Sequence, residues 1–113
     1  RNCVVYTGTH DNDTVQGWYA SANRNDKKMI KTYLGVTNSK NLHWDMIRLA
    51  ESSVADTAII PMQDILGLGS EARMNIPSTL GMNWKWRLLP EQLKEEDAQM
   101  LYEMAKVYGR LNK

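Results

Sequence analysis

Two stretches of the chain carry β-rich apolar runs, and several others carry apolar residues at helical spacing. Cys3-Val4-Val5-Tyr6-Thr7 and Thr57-Ala58-Ile59-Ile60-Pro61-Met62 are β-rich and continuous rather than alternating. Such runs suit strands buried on both faces, as in a parallel sheet. Between them the spacing turns helical. Val15, Trp18, Tyr19 and Ala22 share one helical face. A second helix is expected from Asp26, as its cap, to Leu34, with Gly35 stopping it. Asn41 is placed to cap a third, carrying Leu42, Met46, Ile47, Leu49 and Ala50. Residues 63–89 read as a long irregular stretch with Gly67, Gly69, Pro77, Gly81, Trp84 and Trp86. Pro90 opens a last helical segment with Leu93, Met100, Leu101, Met104, Ala105 and Tyr108 on its apolar positions.

The order is strand, helices, strand, long loop, helix. Two strands joined by a helical crossover form a βαβ unit, so a parallel pair is expected. Size then becomes decisive. Two parallel strands with three or four helices cannot cover both sheet faces and close an edge, whereas a parallel barrel takes eight strands and ~250 residues. The chain has 113 residues and opens on Arg1-Asn2 directly before a strand pattern. The expectation is a piece of a larger α/β protein.

Composition narrows the function classes. Fourteen Lys+Arg against thirteen Asp+Glu give a net charge of +1. That supplies no excess of basic charge for phosphates or an anionic membrane surface. No apolar run approaches the ~20 residues of a membrane span, and no basic-then-apolar leader is visible. The single cysteine, Cys3, excludes an internal disulfide and fits a reducing compartment.

Three constellations carry candidate chemistry. Gly8-Thr9-His10-Asp11-Asn12-Asp13-Thr14 directly follows a strand. Active sites of parallel α/β folds lie beyond the carboxyl ends of strands. A His, two Asp and an Asn in four positions suit a hydroxyl-rich ligand or a cationic transition state. The same residues also read as a polar turn in which Asp13 or Thr14 caps the next helix. A calcium loop fails on spacing, because Gln16 and Ala22 stand where Gly and Glu are needed. Zinc lacks a ligand set, since His43 is the only other histidine and reads as structural beside Trp44. Gly67-Leu68-Gly69-Ser70-Glu71-Ala72 loosely matches a dinucleotide fingerprint, but Pro77 cuts short the helix that motif requires. Arg73-Met74-Asn75 and Asn83-Trp84-Lys85-Trp86-Arg87 set aromatic rings beside amide and guanidinium groups. That mixture suits sugars, although core packing is the expected role of Trp84 and Trp86.

The segment from Tyr6 to Thr14, with Gly17-Trp18 after it, resembles a signature of the 4-α-glucanotransferases, also called amylomaltases or disproportionating enzymes. Pro61-Met62-Gln63-Asp64, the run Gly69-Ser70-Glu71-Ala72-Arg73-Met74-Asn75, and Asn83-Trp84-x-Trp86-Arg87 are similar to that family too, and in its order. The resemblance implies that residues 1–113 are the C-terminal portion of an elaborated TIM (β/α)8 catalytic domain. They would hold about its last two strands and no separate second domain. It implies transfer of α-1,4-glucan segments to an acceptor sugar through a retaining covalent mechanism. It also implies no metal or organic cofactor and a cytoplasmic location. The expected partners are α-1,4-glucans, malto-oligosaccharides and the missing N-terminal part of the same polypeptide. Asp11 matches the family's transition-state-stabilising carboxylate, His10 a contact to the same sugar, and Asn75 an additional sugar contact. The family's nucleophile and acid/base carboxylates fall before Arg1, so the isolated chain is expected to be inactive. A related α-glucan hydrolase and a non-catalytic carbohydrate-binding fragment are the alternatives.

Overall fold

The computed structural model describes residues 3–9, 11–77 and 83–111. Its sheet is a parallel pair. β1 (Val4–Tyr6) and β2 (Thr57–Ile59) align Val4 with Thr57, Val5 with Ala58 and Tyr6 with Ile59. Between them run α1 (Val15–Ser21), α2 (Arg24–Leu34) and α3 (Leu42–Glu51). The short helix α4 (Met62–Ile65) follows β2, then a 3-10 turn at Ser70–Ala72, and α5 (Glu95–Val107) closes the order. The βαβ expectation therefore holds. No helix among the described residues is long and apolar enough to cross a membrane.

Helix boundaries follow from local hydrogen bonding. The Thr14 hydroxyl oxygen accepts from the Gly17 amide at 3.0 Å, which caps α1. For α2 the cap is Asn23, not Asp26: Asn23 Oδ1 accepts from the Asp26 amide at 2.8 Å. Asp26 instead supplies the acid of the first turn, where it favours the helix dipole. Gly35, at φ 73°, ends that helix in the left-handed region. The last helix starts later than Pro90 suggests. Residues 90–93 form a turn, and the Asp97 carboxylate accepts from the Lys94 amide at 3.2 Å to open α5. The stretch after β2 is less irregular than expected, because α4 and the 3-10 turn lie within it.

The core joins α3, α4 and α5. Ile47, Ile65 and Met104 are buried together, with Trp44, Ile60, Met62, Leu101 and Tyr108 packed around them. Arg110 fastens the end of α5 to the end of α3. Its Nε donates to the Glu51 carbonyl at 2.7 Å and its Nη2 to the Ser53 carbonyl at 3.2 Å. A guanidinium fork matches the carbonyls a helix leaves open at its C-terminus.

One expectation fails. The strands are not buried on both faces: Val4 is 46% exposed, Tyr6 50% and Ile59 45%. Among the described residues only two strands pair, so these apolar positions have no further layer over them. The apolar face of α1 differs as well. Val15 and Gly17 are buried, while Trp18 is exposed.

Asp64 holds the strand ends together. It is 2% exposed. Its Oδ2 accepts from the Thr7 hydroxyl at 2.7 Å, and its Oδ1 accepts from the Val15 amide at 2.8 Å. One carboxylate thus joins the end of β1, the start of α1 and α4. Asp64→Ala strands both donors, and the expected loss is about 2–4 kcal/mol. Asp64→Asn still accepts from Val15 and can donate to Thr7, so about 1 kcal/mol is expected. Unfolding midpoints of the two variants check this, and equal losses would refute it.

Candidate functional site

Two loops meet beyond the carboxyl ends of the strands. The first follows β1 and is closed on itself. Asn12 Oδ1 accepts from both the amide and the hydroxyl of Thr9, at 2.8 and 2.9 Å. The Asn12 amide returns to the Thr9 carbonyl at 3.0 Å. Asx-type bonds of this kind fix a tight polar turn. The second loop follows α4 and carries Ser70, Arg73 and Asn75.

Three contacts join the loops, and a fourth, from Arg73 to Asn75, braces the second loop from within. Asn75 Nδ2 donates to Asp11 Oδ1 at 2.6 Å across 64 positions of sequence. Arg73 Nη2 donates to the Asp11 carbonyl at 2.8 Å. Arg73 Nε donates to the Asn75 carbonyl at 2.9 Å. The Ser70 hydroxyl donates to Asp13 Oδ2 at 2.7 Å, while Asp13 Oδ1 accepts from the Thr14 amide at 2.8 Å. Gly17 makes the last approach possible. A Cβ there would lie 2.5 Å from Asp13 Oδ1 and closer still to Ser70 Oγ.

Of the site residues expected from sequence, Asp11 and Asn75 are therefore in direct contact. His10 lies outside the described residues. Asp11 is exposed and Asn75 half-buried, so the pair is open to a ligand from solvent. A cleft of about 360 Å³ adjoins this loop, lined by Tyr6, Thr7, Asn12, Trp18 and Met46 among others. A larger one of about 600 Å³ lies between α3 and α5. It is away from the strand ends and gathers none of these groups.

The geometry can be set beside known proteins. A family model described as 4-alpha-glucanotransferase matches residues 1–93. The chain belongs to the 4-alpha-glucanotransferase family. The 4-alpha-glucanotransferase of Synechocystis sp. is 50% identical over 109 residues, covering 96% of this chain and 22% of that protein. That of Thermus thermophilus is 47% identical over 113 residues, covering 96% and 23%. Among solved structures, the amylomaltase from Streptococcus agalactiae in complex with acarbose superposes with a TM-score of 0.91 at 33% identity, over 96% of this chain and 22% of that one. The chain thus spans less than a quarter of the length of these 4-alpha-glucanotransferases.

Within this glucanotransferase segment, two residues acquire places that their sequence neighbours do not indicate. Asp64 is the strand-end anchor, and Arg73 bonds the main chain on both sides of the Asp11–Asn75 contact. The sequence signal for both is the family motif alone, because their partners lie 49 to 62 positions away except for the Asn75 carbonyl. Trp84 departs from the core-packing expectation. It is 48% exposed and sits at φ 61°, a left-handed conformation uncommon for a bulky residue. Its amide donates to the Met74 carbonyl, and Asn83 Oδ1 accepts from the Ile76 amide at 3.0 Å. The Trp84 turn is thereby bonded to both neighbours of Asn75.

His43 is structural, as expected. Its ring lies over Gly67, where a Cβ would come within 2.8 Å of Cε1, and its Nδ1 is 3.4 Å from Gln16 Nε2. Burial pushes the imidazole below its ordinary value of 6.5, against the opposing pull of Asp64, Asp45 and Asp97. The native state therefore binds this proton less readily than the unfolded chain. His43's contribution to stability is present above pH 6.5 and is lost as pH falls from there through the lowered native value. The unfolding midpoint is expected to fall on acidification over that window, and His43→Gln to remove part of the fall. An unchanged pH profile in His43→Gln would contradict this.

Proposed function

We propose that this chain is the C-terminal portion of a (β/α)8 catalytic domain. The whole protein would transfer α-1,4-glucan segments to an acceptor sugar, and this portion would build part of its donor-sugar site. The observation that carries the reading is the Asp11–Asn75 hydrogen bond at the strand ends of a chain in this family. The exposed apolar strand residues Val4, Tyr6 and Ile59 support a fold completed by further strands. They weigh against a self-contained binding module.

The chemistry accounts for the polar cluster. Retaining transfer uses a nucleophilic carboxylate and an acid/base carboxylate ~5–5.5 Å apart and passes through an oxocarbenium-like transition state. In this reading those two carboxylates belong to earlier strands. Asp11 binds hydroxyls of the distorted sugar beside the scissile bond, and its negative charge favours the developing cation. Asn75 orients the Asp11 carboxylate with one amide hydrogen and offers its other Nδ2 hydrogen and its side-chain Oδ1 to sugar hydroxyls. His10 bonds the same sugar. Trp84 offers an exposed ring near Asn75 for the apolar face of a glucose unit. The substrates are malto-oligosaccharides and longer α-1,4-glucans, the compartment is the cytoplasm, and no metal or organic cofactor takes part.

Two measurements test this. In the whole protein, Asp11→Asn should lower kcat on maltotriose at least ~100-fold while KM changes little, since its charge acts chiefly in the transition state. Normal turnover would overturn the assignment. The isolated 113 residues should not disproportionate maltotriose, and appearance of longer oligosaccharides would refute the missing-carboxylate reading. Product analysis of the whole protein separates the chemistries: elongated oligosaccharides mean transfer, whereas reducing ends without elongation mean a hydrolase.

A further inference from the structure

We propose that Arg73 is a positioning residue whose guanidinium fixes Asp11 and Asn75 as one unit by bonding the main chain of both. This rests on the glucanotransferase reading of the Asp11 site. The segment that carries Asn75 follows a three-residue 3-10 turn and has no sheet ladder or helix of its own. Asp11 sits at the tip of the other loop. Neither local structure sets the distance between them. Arg73 does, with Nη2 on the Asp11 carbonyl at 2.8 Å and Nε on the Asn75 carbonyl at 2.9 Å. Both bonds leave one rigid planar group, so the two carbonyls are held at a set separation and angle. The side-chain bond from Asn75 to Asp11, 2.6 Å long, closes the ring of contacts. Ser70 and Asp13 also bridge the loops, but their bond touches neither Asp11 nor Asn75. A carboxylate that must meet sugar hydroxyls in a distorted ring tolerates little displacement, and ~1 Å can cost ~100-fold in rate.

Lysine separates geometry from charge at this position. It keeps the cation but presents a single ammonium on a flexible stem, which cannot reproduce the fork. In the whole protein, Arg73→Lys should lower kcat on maltotriose by ~10- to 100-fold with KM within ~3-fold and the unfolding midpoint nearly unchanged. Arg73→Ala should lose at least as much and recover part of its kcat on addition of guanidinium at non-denaturing concentration. In the Asp11→Asn background, Arg73→Lys should add little further loss, because the two act as one unit.

Wild-type kcat in folded Arg73→Lys would overturn the proposal. So would a loss that tracks the unfolded fraction, or Arg73→Ala that guanidinium does not improve. If the wild-type protein fails to elongate maltotriose, the glucanotransferase reading falls by itself. The positioning claim is then decided by the crystal structure of Arg73→Lys, or of Arg73→Gln if the lysine variant does not fold. Separation of Asp11 Oδ1 from Asn75 Nδ2 beyond hydrogen-bond reach supports it, and a retained 2.6 Å contact overturns it.

Discussion

The carboxylate of Asp64 is buried where β2 passes into α4, and it accepts one bond from the end of β1 and one from the start of α1. A charge so placed is costly unless its lone pairs are used, and both oxygens are used. The Val15 amide is one of the donors a helix leaves open at its N-terminus, so the bond also completes α1. The parallel strand pair is only three residues long on each side. So short a ladder would define the strand ends poorly by itself. With Asp64 in place, the loop after β1 and the loop after α4 leave from a common point.

That shared origin is what allows the polar cluster to form. Asp13 meets Ser70, and Asp11 meets Asn75 and Arg73, each pair drawn from opposite loops. Gly17 permits the first contact by leaving room beside Asp13. The contacts run outward from a buried anchor, through a half-buried shell, to an exposed carboxylate. Rigid support beneath an open polar group is the arrangement that binding of a hydroxyl-rich ligand requires. The hydrophobic cluster of Ile47, Ile65 and Met104 joins α3, α4 and α5. α4 thus serves both core and site within one turn of helix: Ile65 packs inward while Asp64 receives the strand ends.

Much of the fold was legible because its signals are local. Two continuous β-rich runs flanking amphipathic stretches predict a parallel crossover, and Val4 pairs with Thr57 in that sense. Thr14 and Gly35 mark helix ends through their own chemistry. Asp26 misled by three positions because Asn23 before it is an equally good cap, and an acid at the third helical position is the normal companion of such a cap. A continuous apolar run reports what a strand can pack against, not what is present beside it, so Val4, Tyr6 and Ile59 are exposed where only one partner strand is described. The exposure of Trp84 was hidden for a related reason: composition cannot show a left-handed backbone at a bulky residue. Residue types and strand-end position marked the loop after β1 and the Arg73–Asn75 run as candidate polar clusters, while the roles of single residues came only from family motifs. These placed Asp11 and Asn75 but not the guanidinium between them, since a contact across 62 positions leaves no periodic trace.

A crystal structure of the whole protein with a bound malto-oligosaccharide addresses the assignment most directly. The predicted result is a glucose ring with a hydroxyl within about 2.6–3.2 Å of the Asp11 carboxylate, and Asn75 still bonded to it. An oligosaccharide bound elsewhere, with the Asp11 carboxylate facing only solvent, would contradict the donor-site reading.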